Sequence, residues 1–147
     1  MRPVAALFIV LAGLLTAGCS SHAPPPGRWE GTTDQGDVII AARMEITGKG
    51  DVYVSAPDAE NIQGDEAARA AIRKNLAAGL ASGWGDVQPR KFEFDGKTFR
   101  KPGGVAPQVE WDSSSNTMTM LVYLGMRDAI PVKLHAVKDF SDDPFPG

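Results

Sequence analysis

Apolar side chains recur at every second position through most of the chain after residue 38, and nothing else restricts its fold as strongly. Val38, Ile40, Ala42, Met44 and Ile46 alternate with Ile39, Ala41, Arg43, Glu45 and Thr47, so a strand here has one apolar face and another that grows more polar along its length. A Gly48, Lys49, Gly50 turn returns the chain through Val52, Val54 and Ala56 on the same face, which predicts a hairpin. The alternation resumes at Phe92 to Phe94 and Lys97 to Phe99, around Asp95 and Gly96, a pair suited to a type I′ turn. In that register Phe92 faces Phe99, Phe94 joins them on one face, and Lys91 faces Arg100. Val109 and Trp111 alternate with Glu110 and Asp112. Met118, Met120, Val122 and Leu124 alternate with Thr117, Thr119, Leu121 and Tyr123, and Ile130, Val132, Leu134 and Ala136 complete the set.

One stretch has a different period. Ala68, Ile72, Leu76 and Leu80 recur every fourth residue behind Asp65, a suitable helix cap, and Gly83, Trp84, Gly85 and Pro89 end the pattern. The spacing predicts one amphipathic helix of about four to five turns. The expected fold is α+β and dominated by sheet. It is an antiparallel meander of about seven or eight strands, a curved sheet or partly open barrel, with the helix inserted after the third strand. Pro131 favours the open form, because proline cannot donate to a ladder and is confined to strand edges, starts or bulges.

Residues 1–18 stand outside that pattern. Arg2 and the amino terminus, an apolar run from Val4 to Leu15, and small residues ahead of Cys19 have the shape of a secretory signal. The run is too short for a membrane helix, which needs roughly 20 apolar residues. The ending Leu15, Thr16, Ala17, Gly18, Cys19 resembles the lipobox of bacterial lipoproteins, in which signal peptidase II cuts ahead of a lipid-modified cysteine. The resemblance implies a diacylglycerol thioether on Cys19 and, in many bacteria, a third acyl chain, commonly palmitate, on the new amino terminus. Cys19 is also the sole cysteine, and an odd cysteine exported to an oxidising compartment is a liability unless it is consumed. Two or three acyl chains anchor effectively permanently, whereas one associates with a constant on the order of 10⁴ per molar. Ser20 follows Cys19, and the resemblance implies that a residue other than aspartate there directs Gram-negative lipoproteins to the outer membrane, facing the periplasm.

Loss of residues 1–18 removes Arg2 and moves the net charge of −3 one unit further negative. An acidic domain gains nothing from nucleic acid or an anionic membrane surface, so no nucleic-acid partner is expected and the lipid does the holding. Residues 19–27, lipidated cysteine and Pro-rich tether, favour extended polyproline geometry and keep the fold within roughly 25 Å of the bilayer. Residues 28–138 form a single domain. Residues 139–147, with Asp139, Asp142 and Asp143 beside Phe140 and Phe145, are expected to be a flexible acidic tail.

The opening Gly27, Trp29, Gly31 ahead of a meander resembles the first strand of the calycins, the lipocalin-like barrels, in which the tryptophan closes the barrel floor. This implies a module for a small apolar or lipid-like ligand, with Trp29, Phe92, Phe94, Phe99, Met118 and Met120 as candidate lining residues. The helix falls mid-chain, where the lipocalins place theirs after the last strand.

Catalytic patterns are lacking. Ser82, in Gly79 to Gly83, ends a helix, whereas a nucleophile elbow follows a strand. The two histidines, His22 and His135, have no metal-ligand spacing. Glu110 and Asp112 share a strand face as an acid and base pair would, on the side opposite Val109 and Trp111, which reads as a solvated edge. The expectation is a non-enzymatic protein with no cofactor and no metal. Arg90, Lys91, Lys97, Arg100 and Lys101 crowd one hairpin of an acidic chain, and like charges opposite one another destabilise a sheet. Lys91, Arg100 and Lys101 are therefore candidates for an anionic partner such as lipopolysaccharide phosphate or peptidoglycan carboxylate, with the Pro102–Pro107 loop as rim. The expected function is a lipid-anchored envelope component that contacts an envelope protein, lipopolysaccharide or peptidoglycan. The alternative is the calycin-like binding module.

Overall fold

A computed structural model describes residues 23–103, 107–125 and 128–145. The signal segment, Cys19, the start of the tether, the middle of the Pro102–Pro107 loop and the last two residues lie outside the described residues. The elements are β1 (Gly27–Gln35), β2 (Val38–Ile46), β3 (Val52–Ser55), β4 (Asp58–Ala59), α1 (Glu66–Gly83), a 3-10 turn (Trp84–Asp86), β5 (Glu93–Phe94), β6 (Thr98–Arg100), β7 (Gln108–Asp112), β8 (Thr117–Val122) and β9 (Ile130–Val137).

All strand pairs are antiparallel, and they form one nine-stranded sheet in the order β3, β2, β1, β9, β8, β7, β6, β5, with β4 also on β2. The chain thus builds a meander from both ends and joins them where β1 meets β9. The sheet curls into a half-barrel. The expected class and the helix insertion hold, and the strand count rises because β3 and β4 are one strand interrupted. Their register against β2 is unbroken, from Ile46 opposite Val52 to Ile39 opposite Ala59. Pro57 sits in the gap and cannot donate to the ladder, though its carbonyl accepts from the Ala41 amide at 3.0 Å.

The alternation sets the packing. Trp29, Ile40, Met44, Val54, Val109, Trp111, Met118, Met120 and Val132 converge in one core inside the curl. The outer face of β2 is also buried, and different partners cover its two halves. α1 lies over Ile39 and Ala41 through its own buried Ala77 and Leu80. Asp65 caps α1, its carboxylate accepting from the Ala68 amide at 3.1 Å. Arg69 and Arg73 on α1 grip Asp34 at the end of β1, and Arg69 donates to the Gly36 carbonyl at 2.7 Å.

The other half of that face carries Arg43, opposite Glu30 on β1, and both are buried. Asp139–Phe145 close over them in place of the flexible tail expected. The Ser141 amide donates to the Glu30 carboxylate at 3.1 Å, and Arg43 donates to the Ser141 carbonyl. Phe140 lies under the Arg43 guanidinium, 4.8 Å from ring centre, and meets Trp84 edge to face at 4.7 Å. Arg28 reaches Glu45 at 3.2 Å and Asp139 at 3.1 Å. The physical reason for docking is the buried ion pair. The Ser141 amide and carbonyl supply hydrogen bonds to the pair where solvent is excluded, the ring shields it, and Arg43 Nε keeps only its 3.6 Å ion pair with Glu30.

The glycine opening has a packing cause. A Cβ on Gly31 would sit 1.9 Å from the Lys133 carbonyl oxygen of β9, and one on Gly27 would touch the Trp29 ring at 3.3 Å. Gly31 lets β9 press against β1 where their ladder ends, just past Glu30 and His135. Pro131 falls in the stretch of β9 whose ladder partner is β8, so its missing donor costs the β1 joint nothing.

Candidate functional site

The sheet has a second joint, between β3 and the chain entering β5, and there it is nearly open. One bridge crosses it: the Arg90 amide donates to the Val52 carbonyl at 2.7 Å. Beyond that bridge the two segments diverge. A cleft of about 990 Å³ opens between Val54, Ser55, Ala56 and Asp58 on one wall and Asp86 to Lys91 on the other. Lys101, Pro102, Pro107, Val122, Tyr123 and Leu124 close its far side.

The register dictates which backbone groups face the cleft. In an antiparallel ladder, alternate residues exchange hydrogen bonds with the neighbouring strand and those between them point away. The Thr47 amide donates to the Asp51 carbonyl at 2.9 Å, and the Ala41 amide to that of Pro57. Residues 51, 53, 55, 57 and 59 therefore bond toward β2. Residues 52, 54, 56 and 58 direct their amides and carbonyls toward the cleft, as the Val52 carbonyl bonded to Arg90 confirms. The edge of β3 and β4 is a backbone template beside an apolar floor.

Val54, Val122 and Leu124 form that floor and are buried to within a few per cent, with Ala56 half-buried beside them. The charged groups divide by position. Arg90, Lys91 and Lys101 stand around the narrow, bridged part, whereas Asp58 and Asp86 stand where the walls have parted. Burial raises the Asp58 pKa above its ordinary value, and the nearby Glu60 raises it further.

The candidate residues are distributed differently from the sequence expectation. Trp29, Phe99, Met118 and Met120 are buried inside the curl, Phe92 and Phe94 pack against them, and none of the six lines the cleft. Lys91 and Lys101 do line it. Arg100 does not, because the hairpin register differs from the expected one. Phe94 pairs with Phe99 and Glu93 with Arg100, so Lys91 does not face Arg100. Asp95 causes the shift: its carboxylate accepts from the Lys97 amide at 2.9 Å and the Thr98 amide at 2.8 Å. Asp95 is thus the residue before the turn, and Gly96, at φ 98°, is its first central residue. Arg100 sits opposite Glu93 and 3.8 Å from Asp95, which removes the expected like-charge clash.

Ser82 donates to the Gly79 carbonyl at 3.4 Å near the end of α1. His135 is exposed on β9. Asp112 ends β7 beside the β7–β8 turn, where Ser114 and Ser115 donate to its carboxylate and hold its pKa down at about 2. A carboxylate so stabilised is a poor proton carrier near neutrality. No group of metal-ligating side chains occurs among the described residues, and no helix among them is long and apolar enough to cross a membrane.

The sequence marks Arg90 as part of a basic cluster, and nothing in the period-two pattern marks Val54, Ala56, Val122 and Leu124 as cleft residues. The available signal was Pro57, which interrupts an alternating strand and marks it as an edge. No protein-family model, curated protein or solved structure matches the chain.

Proposed function

We propose that the chain is a cell-envelope lipoprotein, held by lipid on Cys19 at the outer membrane of a Gram-negative host, whose folded domain is a non-enzymatic interaction component facing the periplasm. The observation that carries this reading is the Leu15 to Cys19 ending with its single cysteine.

Cys19→Ala tests the anchor. Labelled palmitate is expected to enter the native chain and not the variant, and the variant is expected to leave the membrane fraction. A variant that remains membrane-bound and correctly cut overturns the reading. The second reading, a calycin-like module for a small apolar ligand, is favoured by the apolar floor and by a cleft volume within the range of small-molecule sites. Native mass spectrometry of the full chain from its own envelope separates the two. A stoichiometric lipid supports the module, and a protein partner supports the interaction component.

A further inference from the structure

We propose that the cleft takes an extended acidic peptide segment of a partner protein, added as a strand to the free edge of β3 and β4; this rests on reading the domain as an interaction component. Three observations meet at one place. The register turns the backbone groups of Val54, Ala56 and Asp58 into the cleft, which is what strand addition requires. Val54, Val122 and Leu124 supply an apolar floor for alternate side chains of the added strand. Arg90, Lys91 and Lys101 supply positive charge on a domain whose sequence is otherwise acidic, and so select acidic side chains.

The proline in this edge does not protect it. Natural sheets blunt exposed edges with proline, but Pro57 falls in the set of residues that bond toward β2. The amides at 56 and 58 remain on the open side. An anionic amphiphile would use the floor and the bases yet leave those backbone groups without partners, and for that reason a peptide is the better occupant. Asp58 and Asp86 orient it. Acidic side chains of the occupant lie toward Arg90 and Lys101, at the bridged end, and away from the two carboxylates.

The test uses the full lipidated chain in phospholipid nanodiscs and a capped hexapeptide of alternating glutamate and valine. Four probes accompany it: the lysine and valine counterpart, the glutamate peptide N-methylated at alternate amides in each of the two phases, and dodecanoate. Binding of the glutamate peptide is expected. The lysine peptide should bind at least about tenfold more weakly, and one phase of N-methylation should cost about tenfold or more while the other costs little, as the loss of edge hydrogen bonds demands. Ala56→Pro removes a single cleft-facing donor and should weaken binding about tenfold. Arg90→Gln with Lys101→Gln should do the same without touching the backbone. Tolerance of both N-methylation phases, no effect of the paired charge variant, or dodecanoate saturating the cleft while the peptide does not would each overturn the proposal. Peptide binding by the Cys19→Ala chain is expected to match the native value, so a failure of the anchor leaves this result intact. A failure of the peptide likewise leaves palmitate labelling intact.

Discussion

The half-barrel is joined in two places, and the joints are built on different principles. Where β1 meets β9, a ladder, a glycine beneath the β9 backbone and a docked tail exclude water from a buried ion pair. Where β3 meets the chain entering β5, one backbone bridge does the joining. The first joint turns its buried polar groups, Glu30 and Arg43, onto one another and onto the Ser141 backbone. The second keeps an apolar floor, outward-facing backbone groups and a cluster of basic side chains together, which makes it the candidate site. Closure of a barrel removes its edges, and this fold closes at one joint while leaving a usable edge at the other.

The strongest way to break the contrast is Gly31→Val. Its Cβ would overlap the Lys133 carbonyl at 1.9 Å, and backbone cannot yield as a flexible side chain can. The sealed joint should lose about 3 kcal/mol or more, read by urea denaturation, because overpacking against backbone is among the costliest single changes. Glu30→Leu comes next. It leaves the buried Arg43 guanidinium without its carboxylate, which costs about 3–5 kcal/mol for a broken buried pair. Burial already depresses the Arg43 pKa, against the pull of Glu30. Adding Arg43→Met to Glu30→Leu should recover most of that stability, since a well-packed apolar pair often matches an ion pair. The double variant should still release residues 139–145, because Ser141 loses both partners, and limited proteolysis would detect it. A tail that remains protected would mean that the Phe140 packing and the Arg28–Asp139 ion pair hold it without Glu30 and Arg43. Phe140→Ala, which removes the contacts with Trp84 and Arg43, should cost about 1–2 kcal/mol and expose the same segment.

The open joint should respond weakly. Arg90→Pro deletes the amide that bridges to Val52 and should cost about 1 kcal/mol, the net value of one hydrogen bond. Faster hydrogen exchange should be confined to residues 52–56, and the β1–β9 joint should keep its protection. Spread of the effect to β9 would show that the two joints are one cooperative unit.

The sequence displayed the sealed interior better than either joint. Period-two alternation identified the faces of β2, β7, β8 and β9, and fourfold spacing behind Asp65 identified α1, because both are local consequences of burial on one side. The hairpin register was off because two readings of Asp95 compete, as the first central turn residue or as the side chain that caps the turn. Only its hydrogen bonds to Lys97 and Thr98 decide between them. Tail docking was hidden for a different reason. Arg43 reads as a polar position on one face of β2, and nothing local shows that a segment about a hundred residues later will cover it together with Glu30. The cleft depends on where two edges fail to meet, which no local period encodes.

The smallest effect, and the one that sharpens the contrast most finely, is the pH response of two carboxylates. Asp34 belongs to the closed side, where α1 holds the end of β1. Burial acts to raise its pKa, but hydrogen bonds from Arg69 and Arg73 outweigh it and hold the carboxyl below the ordinary 3.8. A carboxylate with a depressed folded value contributes stability above pH 3.8 and loses it as the pH falls through that lower value. Asp58 belongs to the cleft, and burial and Glu60 raise it above 3.8. Its charge therefore weakens the fold at neutral pH, and the fold regains that loss as the pH falls through the raised value. Stability curves against pH should thus differ from the native curve with opposite sign. Asp34→Asn should be less stable at neutrality and less sensitive below pH 3.8. Asp58→Asn should be more stable at neutrality and lack the gain on acidification. Identical slopes for the two variants would mean that Asp58 titrates as an ordinary surface carboxylate and that the two sides of the sheet do not differ in this respect.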